Sequence, residues 1–311
     1  VGLSATGFLL PFVQGALEAL VNVGVVIPGQ TPIAGSSGGA VLALAACSGA
    51  SSEDTHAALE ALAERCRPRA CTFTQDDAVR EALGRIMDAG AGGSDVAQRC
   101  RGKAFAAISV AFGGGSGRGG GGGLFGELRR QCSVKTAPPG PASLCIPRAL
   151  HAWWWQPRLW VVGGDWRDRQ DLADGVAASA FFPVLSSATS PFARFRAQSR
   201  LLDGVYASPL PLPPLADNSR PVRVSAVPLG TSAAPWSKPI LEAEIAPFLR
   251  AEEAAVAGLP PAERWRRFLL LVPNADERKA MRELGRREAL AWWSEEVVRV
   301  RGGGGGGGGV L

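Results

Sequence analysis

Residues 31–46, TPIAGSSGGAVLALAA, pass from a short apolar run through a glycine-rich turn into a helix-like run. Pro32-Ile33-Ala34 has strand character, and Ala40 to Ala46 is apolar enough for a buried helix. Between them Gly35-Ser36-Ser37-Gly38-Gly39 fits G-x-S-x-G, the pattern of a nucleophile elbow. A sharp strand-to-helix turn strains the central residue and leaves no room for side chains beside it, which suits Gly35, Gly38 and Gly39 around Ser37. A serine placed there sits at a helix N-terminus, where unpaired N–H groups and the dipole favour an oxyanion. The bland alternative is an ordinary glycine-rich strand-to-helix turn in a chain rich in small residues.

Working outward, Val1 to Phe8 reads as a strand entering a small-residue turn, and Leu9 to Val23 carries Leu9, Phe12, Val13, Ala16, Leu17 and Leu20 at helical spacing. Two strand–helix units within the first fifty residues predict an α/β layered fold around a mostly parallel sheet. Helices are expected over Ser51 to Arg65, Asp76 to Met87 and Asp171 to Ala180, the last ended by Pro183. His56 falls on the first of these, as an exposed side chain. Residues Arg200 to Tyr206 give a short strand and an Asp203-Gly204 turn, and Arg220 to Leu229 one further strand. Beyond Trp236 the texture is helical, over Glu242 to Gly258, Pro261 to Leu271 and Asn274 to Arg299, with Glu and Arg at i,i+4 spacing. The expected organisation is a main domain over 1–215, a strand plus helical extension over 216–301 and a disordered polyglycine tail over 302–311. The glycine run 113–123 is a flexible low-complexity loop; it lacks the Lys-Ser/Thr ending of a phosphate-binding loop.

The net charge of +5 comes almost wholly from arginine, since only four lysines are present. No basic block is interleaved with aromatics as in a nucleic-acid groove, so no nucleic-acid partner is expected. Because Gly, Ala, Arg and Pro are inflated together, the basic balance reads mainly as compositional bias, with docking on an anionic lipid surface as the alternative. Trp153, Trp154, Trp155 and Trp160, near Arg148 and Arg158, fit a strand pair filling the core or an interfacial lipid-gripping patch, and the core reading is preferred. Six cysteines (Cys47, Cys66, Cys71, Cys100, Cys132 and Cys145) lie scattered without a C-x-x-C pair and are read as buried free thiols. His56 and His151 are the only imidazoles, and neither sits at metal-ligand spacing, so neither a metal nor another cofactor is expected. No apolar run spans a bilayer: Gly7 to Ile27 is interrupted by Gln14, Glu18 and Asn22. The chain begins at Val1, so a targeting segment is not readable from it.

A nucleophilic serine needs a base. In elbow-bearing hydrolases with a Ser-His-Asp triad the histidine follows both serine and acid, whereas here the last histidine is His151 and none follows Asp203. A carboxylate acting directly on the hydroxyl remains.

Three motifs in order then resemble the patatin-like phospholipase family over roughly Leu3 to Leu215. Ser4-Ala5-Thr6-Gly7-Phe8 leading into LLPFVQGALEAL looks like the oxyanion loop of its triglyceride-lipase branch. Gly35 to Gly39 matches the family elbow, and Asp203-Gly204-Val205 stands for its D-G-G or D-G-A motif. Ala178 to Val184 echoes the family's A-S-x-x-x-P segment. Ala5 and Thr6 stand where glycine is usual, and Val205 replaces a small residue. Asp174-Gly175-Val176 also matches the last motif, but it lies in a helix-like run, whereas Asp203 follows a strand and precedes a proline-rich segment as the family motif does.

The resemblance implies a three-layer α/β/α domain with a C-terminal helical extension, and a serine acyl hydrolase cleaving fatty-acyl esters of phospholipid, galactolipid or triacylglycerol. Ser37 is the implied nucleophile and Asp203 the base, with oxyanion donors from Gly38, Thr6 and Gly7 and with Gly35, Gly39 and Gly204 as motif glycines. It also implies an intracellular place at the periphery of membranes or lipid droplets. A catalytically weakened lipid- or partner-binding relative and a lipid acyltransferase are the alternatives.

Overall fold

The computed structural model describes residues 1–67, 71, 74–90, 95–111, 157–183, 185–214, 220–227, 243–247, 259 and 265–302. The glycine run 113–123, Trp153 to Trp155, His151, Cys132, Cys145 and residues 303–311 lie outside the described set.

The described elements are β1 (Gly2–Leu3), α1 (Leu10–Asn22), β2 (Ile33–Ser36), α2 (Gly38–Ser48), α3 (Ser52–Cys66), α4 (Gln75–Ala89), α5 (Val96–Cys100), β3 (Ala104–Val110), β4 (Arg158–Val162), α6 (Arg169–Ser179), β5 (Ala193–Phe195), β6 (Gln198–Asp203), β7 (Arg223–Val224) and α7 (Ala275–Gly302). They form a mixed α/β fold: a central, mostly parallel sheet with helices on both sides and a C-terminal helix. Strands β7, β1, β2 and β3 run parallel. Antiparallel pairs β3–β4, β3–β6 and β5–β6 complete the sheet. Strands β1 and β2 are buried on both faces, as parallel strands between helical layers must be.

The local signals act where their chemistry predicts. Ser51 caps α3 by accepting from the Asp54 N–H, and Asp168 caps α6 by accepting from the Asp171 N–H at 2.8 Å. Helix α2 ends on Gly49 in the left-handed region.

Register in β3 is what positions the site. β2 pairs with Ala104 to Ala107 and stops at Ser36 opposite Ala107. β4 pairs with Ala106 to Val110 and therefore occupies the other edge. β6 pairs with Ile108 to Val110, also opposite β4, and ends with Asp203 across from Ile108. One edge of β3 is thus handed from β2 to β6 between Ala107 and Ile108, so the end of one strand abuts the end of the other.

Helix α7 lies against α1 with backbones in contact: a Cβ on Gly15 would stand 1.9 Å from the Arg282 carbonyl oxygen, and one on Gly285 would stand 2.0 Å from that of Phe12. Glu18 of α1 receives Arg282 at 2.6 Å and Arg286 at 2.7 Å, and Arg278 receives Glu60 and Glu64 of α3.

Four expectations need correction. Cys66 and Cys71 form a disulfide instead of remaining free, because the turn after α3 brings their Cα atoms to 4.3 Å; Cys47 and Cys100 are buried thiols. The stretch expected as a helix from Glu242 is extended over its described residues 243–247: Ile245 bridges Val224, and the Ser225 N–H donates to the Ile245 carbonyl at 2.8 Å. Pairing beside β7 satisfies backbone groups that a helix would turn inward. Within 220–227 only Arg223–Val224 forms strand. The described start of the Pro261 to Leu271 stretch keeps helical character, with Trp265 in α-helix and Arg266–Leu269 in a 3-10 turn. His56 is half-buried. Burial and the nearby Arg282 lower its pKa. Trp160 sits half-buried on β4, 5.5 Å from the Phe195 ring.

Candidate active site

Ser37 lies between the last residue of β2 and the first of α2, with φ 56° and ψ −126°. A non-glycine residue is held there only when its surroundings enforce the turn, at a cost on the order of 1–3 kcal/mol. The enforcement is steric. A Cβ on Gly35 would fall 2.1 Å from the Gly39 backbone, one on Gly39 2.6 Å from the Ser4 carbonyl oxygen, and one on Gly38 2.1 Å from Thr6 Oγ1. It is also polar: the Ser37 N–H donates to Ser179 Oγ at 3.1 Å, and that hydroxyl donates to the Ala107 carbonyl at 2.6 Å. Ser179 therefore ties the elbow to β3.

Asp203 ends β6 and is 3% exposed; Ser37 is 7% exposed. Asp203 Oδ1 accepts from the Val205 N–H at 2.8 Å, which fixes the turn through Gly204. At Gly204 the chain grazes β3, since a Cβ would stand 2.1 Å from the Ala107 carbonyl oxygen. Burial pushes the Asp203 carboxyl up to about 7, against the downward pull of the Val205 N–H and the Ser37 hydroxyl. Ser37 and Asp203 are thus brought together, in a place where the carboxylate is weakly solvated and correspondingly basic. Burial and the Asp203 charge push the Tyr206 hydroxyl pKa upward, and its ring stacks on Phe182 at 5.7 Å.

The loop after β1 lies over the elbow. Thr6 is fully buried and its hydroxyl donates to the Gly7 carbonyl at 3.1 Å. Gly7, at φ 51°, opens a 3-10 turn, Gly7–Leu9. Gly7 and Gly38 are each first in their helical segment, so neither N–H has an acceptor within it. Among the described residues no other carbonyl or side chain accepts from them. Both line a pocket that opens at Ser37 and runs between apolar residues, among them Leu10, Val41, Leu59 and Leu62.

Asp174 is placed elsewhere: it lies on α6, partly exposed and paired with Arg80. Among the described residues no group of three or more His, Cys, Asp or Glu side chains could hold a metal ion, and no helix is long and apolar enough to cross a membrane. Two contributions escaped the sequence reading. Ser179 was visible only as part of a motif echo. Nothing local marked Leu269, Pro273 and Arg278 as pocket-lining residues, for they lie far along the chain from Ser37.

A scan against protein-family models matches the patatin-like phospholipase family over residues 14–216. The searches of curated proteins and of solved structures found no match. The matched span contains Ser37, Ser179 and Asp203; the Ser4 to Phe8 loop precedes it and α7 follows it.

Proposed function

Because the chain belongs to the patatin-like phospholipase family, which implies lipid acyl hydrolysis in general, we propose that it is a serine hydrolase of fatty-acyl esters working through Ser37 and Asp203. Ser37 Oγ attacks the ester carbonyl while the Asp203 carboxylate takes the hydroxyl proton. The oxyanion forms beside the N–H groups of Gly38, Gly7 and Thr6, each worth a few kcal/mol when aimed at developing charge, with about 3 kcal/mol a typical figure. Collapse of the tetrahedral species expels the alcohol, which leaves with the proton from Asp203. The resulting acyl-serine is cleaved by water that Asp203 deprotonates, releasing a fatty acid and restoring both residues. Phospholipid, galactolipid and triacylglycerol all carry the ester this scheme needs, and the enzyme would meet them at the surface of a membrane or lipid droplet.

One observation carries the reading: the meeting of Ser37 with a buried carboxyl whose pKa lies near 7, at the strand handover on β3. A base poised near the working pH is what proton abstraction from a hydroxyl requires. The test is labelling of the purified protein with a fluorophosphonate probe. The parent is expected to label, Ser37→Ala to lose all labelling, and Asp203→Asn to lose most of it. A folded parent that resists the probe would refute the proposal.

A further inference from the structure

The pocket at Ser37 is not closed by the family-matched region. Leu269, Pro273 and Arg278 line it from a segment more than fifty residues beyond the end of that match at residue 216. The backbone of Leu269 presses on the oxyanion loop itself, since a Cβ on Gly7 would stand 2.1 Å from the Leu269 carbonyl oxygen. The segment is held in place: Trp265 and Phe268 are buried, and the Trp265 indole N–H donates to the Ala226 carbonyl at 2.7 Å. At its other end Arg278, with a side chain 3% exposed, is bound by Glu60, Glu64 and the Pro273 carbonyl. Glu60 and Arg278 themselves line the pocket, so its apolar wall gives way to an ion pair whose polar groups are already engaged.

We infer that the segment Trp265 to Arg278 is the specificity wall of the acyl-chain pocket, with Leu269 selecting acyl length and the Glu60–Arg278 pair setting the limit a methyl terminus can approach. The inference rests on the acyl-hydrolase reading of Ser37 and adds to it the place where chain length is read. A hydrocarbon chain gains from each methylene placed against Leu269 and loses when it must displace or strip the ion pair. A rigid wall discriminates by exclusion, which a mobile flap would not.

The test uses the full chain and p-nitrophenyl esters from butanoate to palmitate, comparing the parent with Leu269→Trp and Leu269→Ala. Leu271→Trp serves as the control, because Leu271 lies two residues on, is 52% exposed and is not a lining residue. Leu269→Trp is expected to reduce kcat/KM for the longer esters by about tenfold or more while butanoate stays within about threefold of the parent. Leu269→Ala is expected to move the optimum to longer chains, and Leu271→Trp to leave the profile alone. Affinity for fatty acids of graded length, by isothermal titration, reads the same wall without turnover. If the parent shows no Ser37-dependent hydrolysis but Leu269→Trp still weakens long-chain fatty-acid binding selectively, the catalytic reading fails and the wall stands. Leu269→Trp profiles matching the parent in both assays, or a Leu271→Trp shift as large as that of Leu269→Trp, would overturn the inference.

Discussion

Replacing Asp203 by Asn separates the role proposed for the carboxylate in catalysis from what it does to stability. The native carboxyl titrates near 7 instead of its ordinary 3.8, with burial as the leading cause. A raised acid pKa means the folded state holds its proton more tightly than the unfolded chain. The native state is then undiminished below pH 3.8, loses stability as pH rises through the interval, and carries the whole penalty above about 7. At roughly 1.4 kcal/mol per pH unit the interval corresponds to about 4 kcal/mol. Asn keeps the shape and an oxygen for the Val205 N–H without the buried charge. Urea unfolding at pH 8 is therefore expected to show the variant more stable than the parent by up to about 4 kcal/mol, with the difference vanishing toward pH 4. Labelling by the fluorophosphonate should behave oppositely: the parent's rate rises with pH around an apparent pKa near 7, and the Asn variant is slower by about 10²–10⁴-fold above that pKa, with the gap narrowing as pH falls below it. A variant no more stable than the parent at pH 8, or a parent labelling rate flat from pH 5 to 9, would refute a buried carboxylate acting as base.

Other perturbations test the scaffold. Ser179→Ala strips the acceptor from the Ser37 N–H and the donor from the Ala107 carbonyl; a loss of about 1–3 kcal/mol in urea unfolding and slower probe labelling are expected. Labelling at the parent rate would show that the elbow holds without it. Gly38→Ala places a methyl 2.1 Å from Thr6 Oγ1 and 2.8 Å from Leu10 Cδ1, both side-chain atoms that can yield. The variant should fold, yet lose about 10²–10³-fold in kcat as the oxyanion loop is pushed off the elbow. Glu18→Ala leaves Arg282 and Arg286 facing each other, and with Arg286 40% exposed the expected loss is at the low end of the range for a broken buried pair, about 3 kcal/mol. Burial would raise the Glu18 pKa, but its bonds to Arg282, Ser52 and Arg286 hold it below the ordinary 4.5. The difference between parent and variant should therefore be full at neutral pH and shrink as pH falls through that lowered value.

The elbow was legible because its signals are local. Three glycines at fixed offsets and an apolar run on each side each report a backbone geometry within a few residues. The meeting of Ser37 with Asp203 was legible only through the resemblance of motif order, since periodicity says nothing about which edge of β3 a distant strand takes. The C-terminal helix shows the same limit. Its Arg and Glu residues fit a solvated face with i,i+4 pairs, yet Arg278 reaches Glu60 across 218 residues and Arg282 reaches Glu18 across 264. The disulfide is not legible in the scattered spacing of six cysteines, because it depends on the end of one helix bringing Cys66 and Cys71 to a Cα separation of 4.3 Å.

The strain at Ser37 and the raised pKa of Asp203 have one origin. Where two strands stop end to end inside a sheet, backbone groups lose their ladder partners and no water replaces them. Two buried serines repair the break: Ser179 joins the Ser37 N–H to the Ala107 carbonyl, and Ser109 Oγ donates to the Asp203 carbonyl at 2.7 Å while accepting from the Ala207 N–H at 3.0 Å. With the main chain satisfied in this way, the Asp203 carboxyl has among the described residues the Val205 N–H and the Ser37 hydroxyl as donors, too few to offset its burial. The same handover that brings a carboxylate to a serine without an intervening imidazole thus leaves that carboxylate with the raised pKa that the proposed proton transfer from Ser37 needs, while Ser109 and Ser179 satisfy the main chain at the junction.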